Sequence, residues 1–540
     1  MKSLALLILF FGIKTFAVDV TSFENLAIQD GGRVKPFDTF ARESVQLITG
    51  SQTHNGKKAT EVVLAWLIFP NQWNEQKFIQ IKNLQLKNEL AMKVADNFIS
   101  PMELVHNNKL ASEMTALSHL EKEKKKLNPY FQAIQRVNNQ LSLYNEIITG
   151  MGIRLVPQTL SPDWLPLSDL KGEYQEGFGS IALGFVTAIT KEDIKPFQRA
   201  VLKFKELAKA SAPRVYPSDA SLQEEIFYNQ THPFRIAYIV YLLSAIFFAF
   251  ALNLPKKLFL RKIALVTAFT GLSVHISGFI FRCYIAGRPP VSNMYESIIW
   301  VSLGCVVFGL IFELIYKRLY IGLAATGVAT LGLIIGDSVP AVLDQSIRPL
   351  EPVLRSNYWL TIHVLTITLS YAAFALAMGI GNIALSYYVR GIENKNREKL
   401  QALALFVYRA IQVGVLLLTA GTILGGVWAD YSWGRFWGWD PKETWALIAD
   451  LGYLAVLHGR FTGWLRTFGT IAASVTAFAG VVMAWYGVNF VLGVGLHSYG
   501  FGGGGVHYVT AILIVQLAYV ALAGYRHNQH LVVNSKMTGN

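Results

Sequence analysis

The sequence predicts an all-α fold, a polytopic membrane helix bundle preceded by a mostly helical extracytoplasmic domain. Three observations support this. Hydrophobic residues make up 52% of the 540-residue chain and charged residues only 15%, a membrane composition diluted by a soluble part. Apolar stretches of spanning length recur from Phe234 onward, whereas residues 18–232 hold none. Lysines and arginines gather in alternate loops between those stretches, as the positive-inside rule requires.

In chain order, Lys2, the apolar run Leu4–Ile13 and the small residues Thr15 and Ala17 read as a signal peptide over residues 1–17. Its apolar run is too short to span a bilayer, so export of the downstream residues is expected. Residues 18–232 mix polar and apolar positions. Asp30-Gly31-Gly32 marks a turn, and Glu61–Phe69 reads as an amphipathic helix. Residues 74–148 follow a helical pattern, with Glu121–Lys126 as a solvated charge run. Prolines 157, 162 and 166 break the chain before another helix around Glu192–Ala210. His54, His106 and His119 show no ligand-like spacing and read as surface residues.

Residues 233–530 form the membrane domain, with expected spans at 234–254, 263–283, 295–315, 319–337, 359–389, 405–426, 442–459, 467–491 and 507–524. Cations at 256–262, 317–318, 390–399, 460–466 and 526 assign those loops and the tail 531–540 to the cytoplasm. About nine helices satisfy every assignment, in a multi-pass protein of the cytoplasmic membrane. Loops 284–294, 338–358, 427–441 and 492–506 then face outward, on the side of the exported domain. The formal charge of +13 is explained by these topology-setting loops and gives no reason to invoke nucleic acid. Cys283 and Cys305 lie in apolar segments without CxxC or CxxCH spacing, so the chain carries no thiol-redox motif, zinc site or covalent haem attachment of its own.

The outward loop 427–441 and the start of the next span are the most specific stretch. Trp428, Trp433, Trp437, Trp439 and Trp445 are five of the chain's twelve tryptophans. An interfacial belt needs one or two per helix end, so five together suit a platform for a flat apolar ligand. Gly434 and Gly438 leave room for close approach. Asp440-Pro441-Lys442-Glu443 reads as a helix start, with Asp440 as N-cap rather than ligand or acid.

This run, WGRFWGWDPKETW, resembles the tryptophan-rich "WWD" signature of haem-handling proteins in cytochrome c maturation, nearest to the CcsA (ResC) type of system II and related to CcmC. The resemblance covers about residues 234–525. It implies a membrane haem carrier that takes haem b, held non-covalently and in transit, from the cytoplasmic side to the outward platform. There the haem meets the CxxCH thiols of an apocytochrome c. A ResB (CcsB) type membrane partner is implied as well, and whether this chain alone is an enzyme stays open.

Topology sorts the histidines. His363 lies near the outward end of the fifth span, and His497 comes after the eighth. Two imidazoles bracketing the tryptophan platform at one depth suit axial ligation of haem iron, and the resemblance places family ligands at both positions. His458 and His275 lie within spans and are functional candidates on that ground. By resemblance, His458 matches a membrane histidine on the route of haem uptake. His275 lies roughly 20 Å from its cytoplasmic boundary at the helical rise, and His458 only a few residues from its own. A shared iron therefore demands broken or tilted helices, or a ligand from a partner. Arg435, Arg282 and Arg288 are available for haem propionates, or snorkel at the interface. The loop Gly287–Glu296, also similar to a family stretch, is assigned to packing.

A b-type cytochrome that transfers electrons is the alternative function. It usually holds haem between embedded histidines on paired helices, whereas the best pair here lies at the outer edge. A transporter of an unrelated solute lacks support, since no acidic pair or broken-helix repeat stands out.

Overall fold

The computed structural model describes residues 18–123, 127–254, 257–339, 343–349, 357–493 and 505–538. The expected signal peptide and His497 lie outside the described residues. The chain divides into two compact units, Met1–Gln230 and Thr231–Asn540.

In the first unit, β1 (Ala27–Asp30) and β2 (Arg33–Pro36) form an antiparallel hairpin. Gly31 and Gly32 close it at φ 58° and 81°, the left-handed conformation that a two-residue loop between twisted strands requires. Next come α1 (Phe37–Thr49) and α2 (Ala59–Ile68). The latter departs from the amphipathic expectation: Ala59–Trp66 is buried throughout, and Glu61, 1% exposed, pairs with Lys57. Helix α3 (Pro129–Thr149) is capped by Asn128 and stopped by Gly150, and α4 (Glu173–Lys191), α5 (Lys195–Ser211) and α6 (Asp219–Thr231) complete the unit. Aromatic residues fill the core, with Trp66 stacked on Phe78 at 5.2 Å and edge-on to Tyr144 at 5.7 Å. His54 is half-buried against Trp73 and Phe78, which corrects its reading as a surface residue, and burial pushes its pKa below the ordinary histidine value.

The second unit is a polytopic helical membrane domain. Its helices are α7 (Pro233–Asn253), α8 (Lys257–Ala286), α9 (Met294–Tyr316), α10 (Leu319–Ser338), α11 (Asn357–Val389), α12 (Arg397–Trp433), α13 (Pro441–Phe461), α14 (Thr467–Val482) and α15 (Val506–Thr538). A π-helical segment, Met483–Leu492, continues α14. Eight helices among the described residues are long and apolar enough to cross a membrane, one fewer than the nine expected. The difference is α13, whose 21 residues include Lys442, Glu443, Asp450 and Arg460.

Helix α11 runs through the middle of this unit. Tyr371–Ala377 is buried on every face, which its four alanines permit by letting neighbouring helices approach. Phe374 stacks on Tyr453 of α13 at 3.7 Å with rings 3° from parallel. Glu313, fully buried, meets Arg261 at 3.0 Å.

Candidate functional site

Five stretches of the second unit converge on one cleft: 291–297 at the start of α9, 363–371 on α11, 422–437 on α12 and its loop, 442–446 on α13, and 485–489 in the π-helical segment. The cleft encloses about 1150 Å³ of empty space, part of it open to the outside.

His363 forms one wall. Its Nδ1 lies 2.8 Å from the carbonyl oxygen of Gly421, which has no proton to give, so Nδ1 is the donor and Nε2 carries the lone pair. Trp428, buried, lies parallel to the imidazole at 6.3 Å and 7°. Trp433 in turn meets Trp428 edge-on at 4.7 Å. The helices approach this closely because of glycine: a Cβ at Gly421 would lie 2.8 Å from the Ile367 Cα, and one at Gly425 would lie 2.6 Å from the His363 Cε1.

The loop after α12 is set by a cap. The Asp440 carboxylate accepts the Lys442 N–H at 2.9 Å, and the Glu443 carboxylate accepts the N–H groups of Asp440 at 3.1 Å and Gly438 at 2.8 Å. This is the capping box that the Asp-Pro-Lys-Glu spacing predicts. It turns Trp437 into the cleft beside Phe436, whose ring covers Gly426. Trp439 faces the other way. It is 69% exposed, sits at φ 56° and meets Trp437 edge-on at 5.9 Å. Of the tryptophans expected to form the platform, Trp428 and Trp437 line the cleft, Trp433 backs Trp428, and Trp439 stands outside.

The other expected residues are dispersed. His275, fully buried in α8, packs against Phe234 and Tyr241 of α7 rather than in the cleft. His458 is exposed near the far end of α13, its Nδ1 on the Leu454 carbonyl at 2.8 Å. The helical rise puts it roughly 24 Å from Lys442, sixteen residues earlier. Arg282 and Arg288 hold the buried Glu296 carboxylate at 3.0 and 3.4 Å and donate to the carbonyls of Gln345, Ser346 and Arg348. They clamp the segment before α11 to the Gly287–Glu296 loop. That gives them a structural role at this loop. The Arg435 guanidinium crosses Gly438 and stands 3.9 Å from the carboxylate of Glu443, a lining residue, without lining the cleft itself.

Several lining residues escaped the sequence reading. Trp485 donates its indole N–H to the Ser297 Oγ at 2.7 Å, pinning the π-helical segment to α9. Asn489 Oδ1 and Thr422 Oγ1 are buried at the cleft without a hydrogen-bond partner among the described residues. An amide four residues after a tryptophan in an apolar span was the available signal for Asn489, and the four-residue glycine spacing at 421 and 425 for the cradle. Such a cleft suits a large apolar ligand with a nitrogen-seeking metal and a few polar groups: lone-pair imidazole, aromatic walls, glycine cradle and orphaned polar atoms.

Known proteins share the sequence that builds this cleft. The family model described as cytochrome C assembly protein matches residues 291–497, which contain every residue lining the cleft. The cytochrome c biogenesis protein CcsA of Prochlorococcus marinus (strain NATL2A) is 38% identical over 259 residues, covering 42% of this chain and 80% of the relative. CcsA of strain MIT 9301 is 36% identical over 294 residues, 47% of this chain and 92% of the relative. Protein NrfI of Wolinella succinogenes is 28% identical over 495 residues, 87% of this chain, and the chain spans only 53% of NrfI. Among solved structures, the cytochrome c haem lyase CcmF is similar over 55% of this chain and 50% of its own, at 16% identity and a TM-score of 0.37. The identity to CcsA, over most of that protein's length, shows that this chain belongs to the CcsA-type cytochrome c biogenesis proteins.

Proposed function

We propose that this multi-pass membrane protein, whose family serves c-type cytochrome maturation, holds haem in the cleft and presents it to the CxxCH thiols of an apocytochrome c. The haem is cargo, iron protoporphyrin of the b type, bound without covalent attachment. The carrying observation is His363: its Nδ1 is committed to the Gly421 carbonyl, which directs the Nε2 lone pair to a metal. An axial imidazole stands perpendicular to a porphyrin plane. Trp428, parallel to that imidazole, therefore buttresses the ligand, and Trp437 and Phe436 supply the apolar wall. His497 is the second axial ligand in this reading, and His458, at the far end of α13, lies on the uptake side.

The loop 434–440 faces outward, away from the cytoplasm, and residues 18–232 are exported to the same side. The protein resides in the inner membrane among its lipids, with a ResB (CcsB) type partner completing the synthetase. Thioether formation needs the vinyl groups and thiols held in register, so positioning by the cleft is a large part of the rate enhancement.

The test removes the ligand. His363→Gly is expected to lose the six-coordinate spectrum and maturation of a CxxCH reporter, and free imidazole to restore both in part. A His363→Gly protein with wild-type haem content and an unchanged Soret band would refute ligation by this residue.

A further inference from the structure

Haem carries two carboxylates as well as iron, and the three arginines considered for them all have carboxylate neighbours of their own. Arg282 and Arg288 are bound to Glu296 and to backbone carbonyls, and Arg435 lies over Gly438 beside Glu443. One cation does line the cleft. Lys442, the second residue of α13, shares the lining with His363, Trp428 and Trp437. Among the described residues its ammonium has no carboxylate within ion-pair distance. Asp440 acts on it electrostatically, but the Asp440 carboxylate accepts the Lys442 backbone N–H as helix cap. Glu443 takes the N–H groups of Gly438 and Asp440 on Oε2, and its Oε1 lies 3.9 Å from the Arg435 guanidinium.

An ammonium at the wall of a largely apolar cleft without an ion-pair partner is costly, and the cost falls when a bound anion neutralises it. The start of α13 adds the positive end of a helix dipole at the same place. Thr422 Oγ1, buried at the cleft with no partner among the described residues, offers a further hydroxyl donor. A carboxylate is the anion that suits an ammonium, which has three donors and no acceptor.

We propose that Lys442 anchors a haem propionate in this cleft and so fixes which edge of the porphyrin turns away from the ammonium, toward incoming thiols. The proposal rests on the haem reading above. With iron on His363 and a propionate on Lys442, the haem is held at two points and its rotation about the iron–nitrogen axis is prevented. The vinyl groups, on the porphyrin edge remote from the propionates, then face away from Lys442.

The test compares ferric haem with its dimethyl ester, which has the same iron and ring but no carboxylate charge. The full chain in detergent or nanodiscs, as wild type, Lys442→Met and Lys442→Arg, is titrated with each and followed by its Soret band. Wild type is expected to prefer the diacid by about tenfold or more, the scale of one charge-assisted contact. K442M should bind both forms equally, at the wild-type affinity for the ester and with the same six-coordinate spectrum. K442R keeps the charge and should keep most of the preference. A K442M protein with the wild-type preference, or a K442R protein without any, overturns the anchor while leaving haem binding intact. Failure of wild type to bind either form overturns the haem reading itself, and the anchor with it.

Discussion

Gly425 lies close against His363, and adding one methyl group there tests whether the imidazole position matters. A Cβ at residue 425 would lie 2.6 Å from Cε1 and 2.9 Å from Nδ1 of His363. Ordinary carbon contact is about 3.5 Å, so the ring must retreat by roughly 0.9 Å. Its Nδ1 is held to the Gly421 carbonyl at 2.8 Å, and a retreat of that size stretches the bond beyond hydrogen-bond range. The loss is about 1 kcal/mol for the hydrogen bond, with overpacking adding about 1–3 kcal/mol. With only part of this strain falling on the ligand, Gly425→Ala should lower haem retention by about tenfold, since about 1.4 kcal/mol corresponds to that factor. Gly452→Ala on α13 is the control, because a Cβ there meets nothing within 4 Å. It should be neutral or slightly stabilising, as alanine favours the helix. The assay is Soret absorbance per protein after purification, with a denaturation midpoint to monitor the fold. Wild-type haem content in Gly425→Ala would refute the claim that His363 must sit where it does.

The remaining predictions concern the loop, its cap and the first unit. Trp437→Ala should reduce haem retention severalfold through lost apolar contact, whereas Trp439→Ala, truncating a side chain 69% exposed outside the cleft, should leave haem content unchanged. Haem-content measurements separate the two, and equal losses would contradict the placement of Trp439. Asp440→Asn should be nearly silent in thermal unfolding, while Asp440→Ala should cost about 1 kcal/mol, because asparagine caps a helix and alanine does not. Burial lowers the folded pKa of His54, so the unfolded chain binds the proton more readily and stability falls as pH drops through the ordinary histidine pKa. Amide exchange around Trp66 and Trp73, corrected for intrinsic rates, should therefore be faster at pH 5 than at pH 7.5. His54→Gln should remove that pH dependence.

The membrane class, the number of helices to within one, and the helix start at Asp440 were legible in the sequence because each depends on local order along the chain. About twenty apolar residues span a bilayer wherever they pack, and Asp-Pro-Lys-Glu satisfies the first N–H groups of a helix from its own side chains. His363 falls near the start of α11, where the span boundaries read from the sequence put it. The segment 442–459 shows where local criteria fail: its charges lower its hydropathy, yet those at 442 and 443 serve the cleft and the cap.

Direction and partnership were decided only by tertiary structure. Nothing in WGRFWGWD distinguishes Trp437, turned into the cleft, from Trp439, turned out two residues later at φ 56°. Arg282, Arg288, Arg435 and Lys442 are equivalent as cations in a sequence. What separates them is the buried Glu296 that occupies two of them, the Glu443 beside the third, and the place of the fourth in the cleft lining. Glycines 421 and 425 read as helix-weakening residues until α11 lies against them, where each missing Cβ becomes the space that His363 and its helix fill. Period and propensity operate over a few residues, whereas these contacts join side chains some sixty positions apart, such as His363 and Gly421 at a separation of 58.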